Sequence, residues 1–373
     1  MDFTIKRDVL SDGVQKTLGI VNKKTTLPIL NNIFLEAEEN YIRIVATDRE
    51  ISLISRYEAE VTEKGKITLS AKKLYEITRE INGEDVHVQV DEKNIITLSC
   101  QKAVYRIMGV SPDDYPSIVA EENTSWYTVS GHILKDMIRK VFFAMSTDEL
   151  RRNLNGIFLH TGMEEGQCCL YMVSADGHRL AFVKKKLEQQ DFLDLSAGII
   201  IPRKGIVEIR RVVESDPENI SVGLLGQMFM VQTGNVILKV SLINAEYPDY
   251  KRVIPTEKGQ EILLHRTSFL HALRRMLVVV SAEEFRTVLL TINDNQMLFQ
   301  AKNTDVGEAN EDMDITYSGN RIEVGYNIDY LIDAADVIDE ENIYFEIGEG
   351  RKPGLIRSTN KEEYLCVIMP LMI

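Results

Sequence analysis

Leu154 to Val183, LNGIFLHTGMEEGQCCLYMVSADGHRLAFV, decides the fold. It reads as strand, short acidic turn, strand, tight Asp-Gly turn, strand. The same shape stands earlier at Leu30 to Leu53, LNNIFLEAEENYIRIVATDREISL, and again, more worn, from Val288, VLLTINDNQMLFQAKNTDVGEANEDM. Ala46-Thr47-Asp48 aligns with Ser174-Ala175-Asp176 and with Lys302-Asn303-Thr304, at a spacing of 128 residues both times. Such a repeat in a chain of 373 residues predicts three domains of one design, each of ordinary domain size. Their boundaries are expected at 1–124, 125–254 and 255–373, near the polar segments Glu121–Ser125 and Pro255–Gln260.

Working outward, each copy opens with a strand and a helix and carries a second helix in its later half. Residues 8–22 put Leu10, Val14, Leu18 and Val21 on one face. Residues 131–145 do so with Leu134, Met137, Ile138, Val141 and Phe142, and 267–278 with Phe269, Leu270 and Leu273. The second helices are predicted at 71–81, 203–213 and 327–338. Strict alternation in Val86-x-Val88-x-Val90, Ile220-x-Val222-x-Leu224 and Ile343-x-Phe345-x-Ile347 predicts strands with one face on a core. Proline closes each copy at Pro116, Pro248 and Pro370. The fold class is therefore α+β: three tandem copies of one domain, each with two helices packed on antiparallel sheets.

Charge is segregated along this framework. The net charge of -14 taken alone argues against nucleic acid as a partner. Yet five of the six predicted helices carry lysine or arginine off the apolar stripe; only 327–338 carries aspartates there. The acids collect in turns and strand edges, as in Glu58 to Glu63 and Glu308 to Asp314. Basic side chains on one helix are usually just a solvated face. Five related helices of one sign, set against the charge of the whole chain, point instead to a polyanion.

Other chemistry is sparse. The four cysteines form no C-x-x-C pair and read as reduced structural thiols of a cytoplasmic protein. The N-terminus lacks a signal-peptide layout, and no apolar run reaches membrane-spanning length. Neither a metal-ligand spacing nor a phosphate-binding loop is present, so no metal or cofactor is expected. The one candidate for catalysis is Asp176-Gly177-His178-Arg179, a histidine near an aspartate, which equally reads as a plain turn between strands.

Thr26-Leu27-Pro28-Ile29-Leu30, Ala46-Thr47-Asp48, Ala175-Asp176-Gly177-His178-Arg179-Leu180, Pro202-Arg203-Lys204-Gly205, Tyr247-Pro248-Asp249-Tyr250-Lys251-Arg252-Val253 and Met369-Pro370, taken in order, closely resemble the bacterial sliding clamps, the beta subunits of replicative DNA polymerases. The resemblance covers the whole chain. It implies a head-to-tail homodimer closed into a ring of six like domains, helices inside and sheets outside, encircling duplex DNA without base readout or catalysis. Lining positions would include Lys24, Arg79, Lys140, Arg151, Arg152, Arg203, Lys204 and Arg275.

The resemblance also implies a pocket where polymerases, the clamp loader and repair proteins dock short hydrophobic peptides. Its walls would be Leu154, Gly177, His178, Arg179, Leu180, Pro248, Arg252, Val253, Phe285, Val367, Ile368, Met369, Pro370 and Leu371. The ending Leu371-Met372-Ile373 departs from relatives, which often place a basic residue before the last apolar one. By the same resemblance the dimer would join Tyr105 and Ile107, with Lys73 and Arg106 nearby, to Val279 and Val280 after their helix, with Glu308, Glu311 and Asp312 nearby. Two other readings compete: a peptide-docking scaffold whose basic helices merely solvate it, and a hydrolase built on His178.

Overall fold

The computed structural model describes the chain apart from residues 22–26, 118–123, 188–191, 216, 219, 257–258, 283–285, 349–351, 361 and 372–373. All six expected helices form: α1 Arg7–Thr17, α2 Ala71–Glu80, α3 Gly131–Val141, α4 Arg203–Ser215, α5 Arg266–Val280 and α6 Ile328–Asp336. Each follows directly or closely on a strand, and at α2, α5 and α6 a polar side chain at the junction satisfies free helix N–H groups. Ser70 Oγ accepts from the Lys73 N–H (3.4 Å), and Asn327 Oδ1 accepts from Asp329 (2.9 Å) and Tyr330 (3.4 Å).

Several helix ends differ from the sequence reading: α3, expected to reach 145, ends at Val141 before a 3-10 turn over Phe142–Ala144, and α4 runs on to Ser215. α1 stops at Thr17, whose hydroxyl donates back to the Val14 carbonyl (2.6 Å), and Leu18 to Ile20 form a turn. α5 continues to Val280, because Val280 finds a fully buried site and tertiary packing outweighs the weak helix propensity of valine.

The chain divides into two compact units, one of residues 1–135 and 204–242, the other of 136–203 and 243–373. Each contains one antiparallel sheet of eight strands. In the first unit the order is Tyr127–Val129, Ile220–Leu225, Met228–Thr233, Val236–Ser241, Ile51–Glu58, Tyr41–Thr47, Asn32–Ala37 and Gly65–Ser70. In the second it is Ile199–Pro202, Gly156–Glu164, Gln167–Ala175, Arg179–Lys186, Tyr364–Ile368, Gly354–Arg357, Asn342–Ile347 and Gln260–His265. Each large sheet thus joins half of one repeat to half of the next. The seams are Val236–Ser241 against Ile51–Glu58 and Tyr364–Ile368 against Arg179–Lys186.

Each unit also has one smaller sheet. The first holds five strands, Glu60–Glu63, Asp2–Lys6, Asp85–Val90, Ile95–Cys100 and Ala103–Met108. The second holds four, Gly307–Asp314, Gln296–Asn303, Thr287–Asn293 and Ile322–Asn327. Strands with one wet face alternate, as in Asn32–Ala37, where every second residue is buried, while Gln167–Ala175 and Tyr364–Ile368 are buried almost throughout. Ile33, Leu35, Leu10, Val14 and Leu74 are all sealed from water, each such side chain contributing about 1.5–3 kcal/mol of transfer free energy.

The tight turn inside the repeat corrects its alignment. Asp48 Oδ1 accepts from the N–H groups of Glu50 (3.0 Å) and Ile51 (2.7 Å), and Asp176 Oδ1 from His178 (2.9 Å) and Arg179 (3.0 Å). In the third copy Asn303 Oδ1 does this, for Asp305 and Val306 (both 2.8 Å). The equivalent of Asp48 is therefore Asn303, not Thr304. All four cysteines are buried and free, and no helix among the described residues is long and apolar enough to cross a membrane.

Candidate functional site

Most of the residues expected to form the docking pocket lie in the second unit, around the turn at Asp176. Gly177 occupies the left-handed region (φ +93°), which lets the chain reverse without a Cβ penalty. Arg179 then points back beneath the turn. Its guanidinium donates to Asp176 (3.0 Å), Asp333 (2.6 Å) and the Phe143 carbonyl (2.8 Å), and lies 4.3 Å from the Tyr330 ring centroid. Burial works against this charge, but Asp333 and Asp176 outweigh it and hold the guanidinium above its ordinary range. Arg179 is therefore a brace for the turn, with a side chain only 10% exposed.

Leu154, Leu180 and Val367 do come together. They share one apolar cluster with Val173, Ile200, Leu355, Leu365, Tyr247 and Tyr250. The loop that supplies Tyr247 and Tyr250 also carries Pro248, Arg252 and Val253, all exposed. The Met369 N–H donates to the His178 carbonyl (2.9 Å), which brings Met369, exposed, to the same turn.

Of the other expected wall residues, Ile368 needs correction. Ile368 is fully buried and alternates with Val367, so it faces the opposite side of its strand. Leu371 is not free beyond Pro370: its N–H bonds to the Gly325 carbonyl (2.8 Å) in an antiparallel bridge. Phe285 lies outside the described residues. The hydrolase reading loses its dyad, because the backbone N–H of His178, and not its ring, is what Asp176 accepts from. The imidazole lies near the Tyr330 ring (6.4 Å between centroids).

The basic residues have mixed surroundings. Arg79 pairs with Glu80 (2.8 Å), Arg275 with Glu311, Lys204 with Asp48, and Arg151 with Asp148 (3.5 Å) and the Asp176 carbonyl (3.1 Å). Arg203 lies over the Phe142 ring (4.9 Å). Arg152 is exposed. Lys140 is corrected: it is buried, with its ammonium held by Asp136 (2.9 Å), so it braces α3 and offers no free charge. Lys24 lies outside the described residues.

On the edge strand Ala103–Met108, Tyr105 and Arg106 are exposed and Ile107 is half-buried. Lys73 is exposed beside Glu76 (2.8 Å). On the edge strand Gly307–Asp314, Glu308 and Asp312 are exposed and Glu311 is half-buried. Val279 and Val280 sit in the last turn of α5, not after it, and Val280 is sealed in the core.

Three family models match the chain in order: the N-terminal domain of the DNA polymerase III beta subunit over residues 1–119, its central domain over 128–249 and its C-terminal domain over 251–372. A beta sliding clamp of Caulobacter vibrioides is 30% identical, with all of both chains covered. The chain belongs to the DNA polymerase III beta subunit family, the beta sliding clamps.

Two solved clamps share its fold closely. A Caulobacter crescentus beta sliding clamp, with polyethylene glycol bound to its proposed beta-motif tethering region, superposes with a TM-score of 0.94 at 30% identity over 100% of this chain and 99% of that one. A Bartonella birtlesii sliding clamp bound to griselimycin gives 0.93 at 28%, with both chains fully covered. In the present member of the family, sequence reasoning missed Phe158, Tyr247, Tyr250 and Ile254, which pack in the apolar cluster beside the turn at Asp176. The signal was there in Phe158, which sits two residues from His160 on one face of a strand. It also missed Val278, which is 72% exposed where Val280 is buried, a difference set by helical register.

Proposed function

We propose that this protein is a DNA sliding clamp: a processivity factor that encircles duplex DNA as a head-to-tail dimer and tethers polymerases, with the clamp loader and repair proteins, through the turn at Asp176. It acts by holding, without a catalytic step, in the cytoplasm where the chromosome lies.

The observation that carries the ring is the seam rule. In both large sheets the last strand of one repeat pairs with the fourth strand of the preceding repeat, Val236–Ser241 with Ile51–Glu58 and Tyr364–Ile368 with Arg179–Lys186. The two strands left over under that rule are Ala103–Met108, last of the first repeat, and Gly307–Asp314, fourth of the third repeat. Both are edges of the smaller sheets. Pairing them between two copies continues the rule and removes two exposed edges, a state proteins otherwise have to protect. Their charges suit each other: Arg106 on one, Glu308, Glu311, Asp312 and Asp314 on the other.

The DNA reading rests on the basic residues of the helices and adjoining loops, most of which pair with acids at the surface. Exposed ion pairs are weak, so phosphates can exchange with the acids without fixing a register, which is what sliding needs. Sedimentation tests the ring. Wild-type protein should run as a dimer, and Tyr105→Asp should run as a folded monomer. A variant that stays dimeric would place the joint elsewhere.

A further inference from the structure

A second cavity adjoins the docking turn within the same unit. Phe158, His160, Tyr171, Phe182 and Tyr250 line a pocket of about 660 Å³ that opens at Glu164, Asp249 and Lys251. His160 stacks on Tyr171 (4.5 Å between centroids, 7° between planes) and meets the Tyr250 hydroxyl through Nε2 (2.9 Å). Phe158 stacks on Tyr247 (4.7 Å). The floor is continuous with the docking groove, since Phe158, Phe182 and Tyr250 belong to the same apolar cluster as Leu154, Leu180 and Val367.

The first repeat supplies an internal comparison. There Phe34 and Tyr115 form the matching ring pair, tilted and 5.6 Å apart where Phe158 and Tyr247 stack at 4.7 Å, and Tyr115-Pro116 corresponds to Tyr247-Pro248. The cross-strand pair His160 and Tyr171 of the second repeat is matched by Glu36 and Arg43 of the first. Glu36 and Arg43 form an ion pair (2.6 Å), and the cavity beside them is about 370 Å³. One fold position is thus narrower and lined by an ion pair in the first repeat, and wider and lined with rings in the second, where the docking turn adjoins it. At the rim of the aromatic pocket Glu164 is held by Lys184 and the Tyr171 hydroxyl, and Asp249 by Arg252. Lys251 is exposed and has no ion pair among the described residues.

We infer that this pocket takes the planar ring of an aromatic side chain belonging to the peptide docked in the adjoining groove, with a carboxylate next to the ring meeting Lys251. Ring-on-ring contact supplies the affinity, and the lysine selects an acidic neighbour. This rests on the docking reading, so the test separates the two.

The test uses the full-length dimer and two kinds of probe. Indole-3-propionate, a planar ring with a carboxylate, is titrated alone by NMR. Two synthetic peptides sharing a glutamine and a Leu-Phe pair are titrated by calorimetry, one flanked by Ala-Ala and the other by Trp-Asp, with the flank placed on either side. The pocket is closed by His160→Glu with Tyr171→Arg, which installs the ion pair of the first repeat. Lys251→Glu, at an exposed position, serves as a second variant should the first not fold.

Indole-3-propionate should bind wild-type protein saturably and should be lost in both variants. The Trp-Asp peptide should bind wild-type protein about fivefold more tightly than the Ala-Ala peptide, and equally with it in the variants. Equal affinity of the two peptides for wild-type protein, or an advantage that survives both variants, overturns the inference. If neither peptide binds while indole-3-propionate still does, the docking reading fails and the ring-binding pocket stands. If indole-3-propionate fails to bind, the pocket fails whatever the peptides do.

Discussion

Asp48 and Asp176, 128 residues apart, hold the same turn in the same way and differ only in what their second oxygen holds. In each, Oδ1 accepts the N–H groups two and three residues on. The Oδ2 of Asp48 meets Lys204, which is 39% exposed, whereas that of Asp176 meets Arg179, which is 10% exposed. One turn has thus kept its fold role in both repeats, and in the second it is also locked from beneath.

Asp176→Ala should therefore cost more than Asp48→Ala. Removing Asp176 opens the turn and leaves a buried guanidinium with Asp333 as its remaining carboxylate, a loss of about 3 kcal/mol. Asp48→Ala loses the same turn bonds but frees an ammonium that water can reach. Urea midpoints of the two variants measure the difference, and peptide affinity should fall only for Asp176→Ala.

Gly177→Ala isolates the backbone. A Cβ there meets only the tip of Arg151, a flexible side chain that can move aside, so the cost is the left-handed φ of +93°. About 1–2 kcal/mol of stability should be lost in denaturant unfolding. A neutral result would mean that the turn has relaxed to another shape.

The valines at the end of α5 separate interface from core. Val278→Asp alters an exposed residue on the face that Arg275 and its partner Glu311 share with the edge strand Gly307–Asp314. It should give monomers of unchanged thermal stability. Val280→Asp places a carboxylate at a fully buried site and should destabilise the chain itself, on the order of 4 kcal/mol, whether or not it is dimeric. Sedimentation and calorimetric melting together distinguish the two effects.

His160 sets a pH dependence. Burial lowers its pKa below the ordinary 6.5, so the folded chain holds the ring neutral where the unfolded chain would protonate it. The resulting stability is present above 6.5 and is lost as the pH falls through the lowered folded value. His160→Phe should remove this term. Its melting temperature should gain on that of the wild type as the pH falls below 6.5, and a constant difference would show that His160 does not titrate in this way.

Much of this was legible in the sequence because it is written in period and repetition. The alternation of Val86, Val88 and Val90 and the stripe of Leu134, Met137, Ile138 and Val141 report burial directly, and those residues are half-buried or buried as expected. What the sequence concealed depends on which neighbour a side chain meets. Lys140 reads as a solvated cation until Asp136, one turn away, draws it in. Arg179 reads as a rim contact until Asp333, far along the chain, is brought beneath it. Ile368 and Val367 look alike in a run of apolar residues, and only strand pairing decides their faces. The worn third repeat hid its register because asparagine, not aspartate, makes the turn.

Electrostatic attraction to DNA should respond to the surface cations alone. Replacing Arg79, Arg203, Lys204 and Arg275 by glutamate should weaken loading and flatten its salt dependence by about one unit of slope for each phosphate no longer neutralised. Lys140→Ala should alter stability and leave the slope unchanged, since its charge is committed to Asp136.

The central claim is topological: two copies closed through Ala103–Met108 and Gly307–Asp314 surround the duplex. It is tested most directly by loading the protein onto nicked circular DNA, removing free protein by gel filtration, and cutting the circle once. A closed ring predicts stable retention on the circle that resists added salt, and release within the time of sliding to an end once the DNA is linear. Equal retention on circular and linear DNA, or release from the intact circle by salt alone, would contradict it.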